Sequence, residues 1–150
     1  MIPDPPPQEW HKDGYCLSTD RRRLDLAIIL KFLAEDSYWG QGMTLPLLER
    51  ALQGSLPMGI YARDGSMAGF GRVVTDYAVF AYLRDVFVLP DHRGKGLATW
   101  LAVAIRDHPA LATVSTWLLA TKDAQTVYQR AGYQPVPHPE YYMIIRKPLA

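Results

Sequence analysis

Asp85-Val86-Phe87-Val88-Leu89-Pro90-Asp91-His92-Arg93-Gly94-Lys95-Gly96-Leu97-Ala98 is the stretch on which the fold turns. Val86 to Leu89 are branched or aromatic, the composition of a buried strand, and Pro90 ends that pattern. From Leu97 the apolar residues Leu97, Trp100, Leu101, Ala104 and Ile105 fall at spacings of three and four, which predicts a helix running to Pro109. Between strand and helix lie Gly94 and Gly96, which let backbone amides approach an anion closely. The helix start adds unpaired N–H groups and a favourable dipole. Arg93 and Lys95 bring positive charge to the same turn, as removing a diphosphate from water requires. An ordinary strand-to-helix turn would use the same glycines, so the motif alone leaves both readings open. Two familiar phosphate sites fit poorly. Thr99 occupies the third glycine position of the dinucleotide fingerprint, and Lys95 is followed by Gly96 rather than Ser or Thr.

Outward from this junction, Met58–Tyr61, Met67–Val74 and Phe80–Leu89 read as strands, the first two joined by the hairpin signal Asp64-Gly65. Upstream, Tyr15–Ser18 predicts a short strand. Thr19-Asp20 then cap a helix ending near Asp36, and Thr44 caps a second helix with Pro46 in its first turn and Gly54 at its end. Downstream come a strand over Val114–Leu119, a long helix from Ala124 stopped by Gly132, and a closing strand over Tyr141–Ile145. Residues 1–14, with Pro3, Pro5, Pro6 and Pro7, are expected to be a flexible tail, leaving 15–150 as one domain. The order predicts a mixed α/β (α+β) layer with helices on both faces of the sheet.

Composition narrows the function classes. The 150 residues are 49% apolar, enough for one sizeable core, and 16 basic against 15 acidic side chains leave a net charge of +1. No basic run marks a nucleic-acid surface, and no apolar run is long enough for a bilayer. The single cysteine, Cys16, excludes an internal disulfide framework, and no signal-peptide pattern opens the chain, so a cytoplasmic location is expected. His11, His92, His108 and His138 lack zinc-site spacing, so no metal is expected.

The quoted stretch resembles the GNAT superfamily of acetyl-CoA-dependent N-acetyltransferases, whose Arg/Gln-x-x-Gly-x-Gly/Ala pattern falls on Arg93, Gly96 and Ala98. Ala124 to Tyr133 is similar to the family's last helix and its Tyr-x-x-x-Gly-Phe/Tyr ending, met here at Tyr128, Gly132 and Tyr133. The resemblance implies the GNAT fold, a central mixed, mostly antiparallel twisted sheet flanked by helices, and acetyl-CoA as cosubstrate. It places the pantetheine arm along the backbone of Val86, Phe87 and Val88, with the Val86 amide near the thioester oxygen. The pyrophosphate falls on Arg93, Gly94, Lys95, Gly96, Leu97 and Ala98. Where many relatives carry an asparagine that touches the cofactor, this chain has Thr121, a shorter donor.

Direct acetyl transfer needs a neutral amine, a polarised carbonyl and a proton for the departing thiolate. The resemblance makes Tyr128 the general acid, on the register of its motif; the alternative is a helix tyrosine packed in the core. Where relatives carry a basic glutamate this chain has Tyr82, so Asp85 is the candidate base, with a water-mediated route otherwise. The family's acceptor loops correspond to Asp36–Thr44 and Pro135–Tyr141, which offer Tyr38 and Trp39 on one side and His138, Glu140 and Tyr141 on the other. The reading is an N-acetyltransferase acting on the primary amine of a small molecule. A protein or peptide amine and a non-catalytic acyl-CoA-binding module are the alternatives, and a homodimer is left open.

Overall fold

The computed structural model describes residues 4–149. Six strands form one sheet in chain order: β1 (Glu9–Lys12), β2 (Tyr15–Ser18), β3 (Leu56–Tyr61), β4 (Met67–Thr75), β5 (Phe80–Val88) and β6 (Thr116–Leu118). Neighbours are antiparallel except β5 and β6, which run parallel. Four α-helices, α1 (Leu26–Lys31), α2 (Leu45–Gln53), α3 (Leu97–Arg106) and α4 (Gln125–Gln129), complete the α/β architecture.

Strand alternation divides the core in two. Met58, Ile60, Val73 and Leu83 meet Leu101 and Ile105 of α3 on one side. Phe70 and Phe87 meet Ile29 of α1, Leu33 just after it, and Leu48 and Leu52 of α2 on the other. Leu33, Leu48, Leu101 and Ile105 are completely buried, each stabilising by roughly 1.5–3 kcal/mol.

Four expectations need correcting. The stretch read as a tail contains β1: beyond Pro7, Glu9 to Lys12 retain their N–H groups and pair with β2 through a two-residue turn. Asp13 and Gly14 form that turn with φ of 53° and 83°, the left-handed pair of a type I′ hairpin. Met1 to Pro3 of the expected tail lie outside the described residues. The first helix is split, because Asp20 caps a 3-10 turn over Arg21–Arg23 and Asp25 then accepts from the Ile28 amide to start α1. Its end at Asp36 holds, through a π-helical turn over Phe32–Asp36. The last helix is short, five residues rather than a long run. Tyr141–Ile145 pairs with no strand among the described residues: a 3-10 turn at Pro139–Tyr141 leads into unpaired chain.

Candidate active site

The site begins with an irregularity in β5. Arg84 pairs with Arg72 and Phe87 with Phe70, so Asp85 and Val86 together face Gly71 alone, and Asp85 takes the left-handed region at φ 56°. Gly71 permits this approach. A Cβ there would stand 2.9 Å from Leu101 Cδ2 and 3.1 Å from Val86 Cγ2. β6 pairs with Phe80, Ala81 and Tyr82 and has no described pairing with Leu83 to Val88, the stretch that contains the bulge. The backbone of Val86 and Val88 therefore lies along an open stretch of sheet edge, where the family resemblance puts the pantetheine arm.

Asp85 is nearly fully buried, and Arg72 Nε donates to its Oδ2 at 2.6 Å. The ion pair ties the bulged β5 to β4 and occupies the carboxylate proposed from sequence as a base. Phe87 stacks on Phe32 with centroids 4.2 Å apart, so its side chain belongs to the core and its backbone alone is offered to a ligand.

Pro90–His92 forms a 3-10 turn, after which Gly94 and Gly96 sit at φ 80° and 73°. A Cβ at either glycine would meet nothing within 4 Å, so the backbone lines an open cradle. Gly96 is the N-cap of the ten-residue α3, with no side-chain cap, which leaves the first amides of the helix for an anion. Arg93 folds back, Nε donating to the Val88 carbonyl at 2.8 Å, and so braces the end of β5. Lys95 Nζ donates to the Tyr15 hydroxyl at 3.2 Å, and that hydroxyl lies 2.8 Å from His92 Nδ1. Lysine has protons alone to offer, so Tyr15 accepts from Lys95 and gives its own proton to His92. Tyr15 and His92 brace the turn from β2, a contact spanning 77 positions that no local pattern signals. Leu97 is buried in the core, and Ala98 is half-buried in the first turn of the helix.

The remaining candidate residues lie on α4 and on the loop after α1. Tyr128 is partly buried, and burial, with a smaller contribution from nearby Tyr38, pushes its pKa up to about 12. No hydrogen bond involves its hydroxyl among the described residues, and its ring meets Tyr133 edge-on at 6.1 Å. Ser37 Oγ donates to the Leu33 carbonyl and accepts from the Gly40 amide, fixing the loop that displays Tyr38 and Trp39. The two rings meet edge-on at 5.0 Å, and the Tyr38 hydroxyl accepts from the Lys122 amide at 3.2 Å, drawing this loop to the start of α4. Thr121 Oγ1 accepts from the Ala124 amide just ahead of α4, and no described bond uses its hydrogen.

The second acceptor segment is not tied to the first by any described bond. His138 and Glu140 pair with each other at 3.2 Å, and His138 stacks on Tyr141 at 4.6 Å, all three exposed. Elsewhere Glu9, His11 and Cys16 bring ligand atoms within 4.8 Å. Arg23 donates to both Glu9 and Cys16, placing a cation where a metal would need a vacancy.

A bulged strand with an unpaired edge, followed by a bare amide turn at a helix start, is the arrangement that the family resemblance implies for an acyl-CoA-dependent transferase. The Acetyltransferase (GNAT) domain model matches residues 57–135. A protein of Gibberella zeae named as an acetyltransferase is 33% identical over 119 residues, 67% of each chain. A Xanthomonas campestris pv. campestris crystal structure assigned to the GNAT family superposes with TM-score 0.84 at 41% identity, covering 89% of this chain and 94% of that one. The chain belongs to the GNAT acetyltransferase family, and is an acyl-CoA-dependent acetyltransferase. The same fold, at TM-score 0.65 and 18% identity over 81% of each chain, is seen in spermidine N-acetyltransferase from Vibrio cholerae with CoA and spermine. No described helix is long and apolar enough to cross a membrane.

Proposed function

We propose that the chain transfers acetyl from acetyl-CoA directly to the primary amine of a small molecule. The observation that carries this reading is the open amide turn at Gly94 and Gly96, which follows directly on the stretch of β5 that β6 leaves unpaired. The backbone of Arg93 to Ala98 would hold the pyrophosphate, with Lys95 supplying charge, and the edge from Val86 to Val88 would hold the pantetheine. Acetyl-CoA when bound supplies the acetyl group as a thioester.

The remaining work falls to side chains of this protein. An alkyl amine arrives protonated, and losing that proton at neutral pH costs about 4 to 5 kcal/mol. Asp85 is committed to Arg72, so water carries the proton out. The Val86 amide polarises the acetyl carbonyl. Tyr128, held protonated by burial, donates to the sulfur that leaves. The amine gives up two protons, one matching that returned to sulfur and one released to solvent. Tyr38 and Trp39 form an aromatic wall suited to an amine beside an apolar group, and His138 and Glu140 add polar contacts that select among amines.

Incubation with acetyl-CoA and an amine panel, following free thiol against a no-amine control, tests the reading. Amine-dependent thiol release with a small amine is expected. Release with peptide amines alone would move the acceptor to protein, and coenzyme binding with no release would leave a binding module. Gly96→Asp, which sets a carboxylate in the cradle, should abolish coenzyme A binding by calorimetry in a folded protein.

A further inference from the structure

We propose that the acceptor is an amine that also carries a carboxylate, and that Arg84 is the side chain that recognises it. The inference rests on acetyl transfer to a small amine and names the class of that amine. It starts from a juxtaposition in the sheet: Arg72 of β4 and Arg84 of β5 are direct cross-strand partners, and one carboxylate answers the two. Like charges set opposite each other on adjacent strands destabilise a sheet. Asp85, brought in by the bulge and nearly fully buried, neutralises Arg72 at 2.6 Å. Arg84 is exposed and has no ion pair and no side-chain hydrogen bond among the described residues. One positive charge is left over.

Strand alternation sets that charge on the same face as the aromatic loop. Phe70 and Arg72 lie two apart on β4 and share a face, so their partners Phe87 and Arg84 share it too. Phe32 stacks on Phe87 on this face and brings Trp39 with it, 6.1 Å between the Phe32 and Trp39 centroids. Tyr82 follows on the same face, opposite Val74, and its ring centroid lies 5.6 Å from the Arg84 guanidinium. The cation is thus held against an aromatic surface and not against a carboxylate. Arg84 stands two residues before Val86, about 7 Å of strand or less across the bulge. An acetyl group held at the Val86 amide therefore has a free guanidinium within the length of a small molecule.

The charge count selects the anion. One uncompensated guanidinium matches a single negative charge, and its planar fork of donors matches the two oxygens of a carboxylate. A phosphate dianion calls for a second cation, and Arg72 is committed to Asp85. A diamine would set a cation against Arg84 with no carboxylate to receive it.

Matched amines test this on the full chain: 4-aminobutanoate against 4-aminobutanamide and against 1,4-diaminobutane, compared at equal free-amine concentration by thiol release from acetyl-CoA. The carboxylate should be favoured at least about tenfold in kcat/KM, chiefly through KM, the scale of one charged hydrogen bond on an open surface. Arg84→Gln should erase that preference and Arg84→Glu should turn it toward the diamine, with coenzyme A affinity by calorimetry kept in both. Removing one of two facing cations should leave the urea midpoint of Arg84→Gln unchanged or higher, which a structural role for Arg84 would not. Saturation-transfer NMR on the coenzyme A-loaded chain separates this inference from the transfer reading. There 4-aminobutanoate should bind the parent and not Arg84→Glu, even where no amine releases thiol. A parent that treats the carboxylate and the amide alike in turnover and binding, a preference that survives Arg84→Glu, or a lower midpoint in Arg84→Gln would overturn the assignment.

Discussion

Tyr128 combines a hydroxyl without a described partner and a ring packed against Tyr133, and the two features separate under Tyr128→Phe. The ring remains, so stability and acetyl-CoA affinity should stay near the parent's, while kcat falls about a hundredfold to ten-thousandfold. A loss below about threefold with chemistry rate-limiting would return Tyr128 to a packing role. Its pKa of about 12 adds a pH signature. The acid stays protonated throughout the assay range, so kcat/KM should climb tenfold per pH unit from about pH 6 to 9 as the free-amine fraction grows. A fall in that window would assign the essential proton elsewhere. Asp85 gives the opposite pattern. Asp85→Asn leaves the Arg72 charge buried and unpaired, a loss of about 3–5 kcal/mol in urea unfolding. Full stability with activity reduced more than a hundredfold would instead make Asp85 the base.

At the scale of elements, the bulge, Gly71 and α3 are one device. The two-for-one exchange in β5 falls on the stretch that β6 leaves unpaired, and the missing side chain at Gly71 lets Val86 and Leu101 fill the space beneath. Gly71→Ala must displace both, which overpacks the junction by about 1–3 kcal/mol and shifts the strand that would hold the pantetheine. Lower thermal stability with weaker coenzyme A binding is the expected pair of results. Unchanged affinity in the destabilised variant would uncouple the bulge from the cofactor edge. The turn at Gly94 and Gly96 lacks such a neighbour. Its glycines serve backbone conformation and open space, so substitutions there should strike binding harder than folding.

Across the whole molecule, burial raises the pKa of Tyr61 and of Tyr128 to about 12 and raises that of Tyr133 as well. In the unfolded chain these phenols ionise near ~10, so above that pH the native state binds more protons than the unfolded one. From pH 8 to about pH 10 these phenols should leave stability unchanged. Between there and about pH 12 it should fall, by at most about 1.4 kcal/mol per pH unit for each tyrosine, less where solvent reaches the ring. Urea midpoints from pH 8 to 11.5 measure this, and a midpoint constant to pH 11.5 would show that the phenols ionise while still folded.

The middle of the protein follows from short-range chain chemistry. The strand to Leu89, the proline, the paired glycines and the three- and four-residue spacing of α3 are local features, and local chain chemistry sufficed for them, as it did for Thr44, Pro46 and Gly54 around α2. It also carried the signal for β1, since Asp13-Gly14 is as good a hairpin turn as Asp64-Gly65, though the prolines ahead of it pointed to a tail. Tertiary structure decided what depends on distant partners. The bulge at Asp85 arises from the mismatch of β5 against β4, the Arg72 pair from side chains meeting across that mismatch, and the Tyr15 brace from β2 reaching the cofactor turn. The C-terminal arm is the sharpest instance. Tyr141 to Ile145 has a strand's composition, but a strand exists when its N–H and C=O groups find a neighbour, and no neighbour is encoded in the arm's own residues.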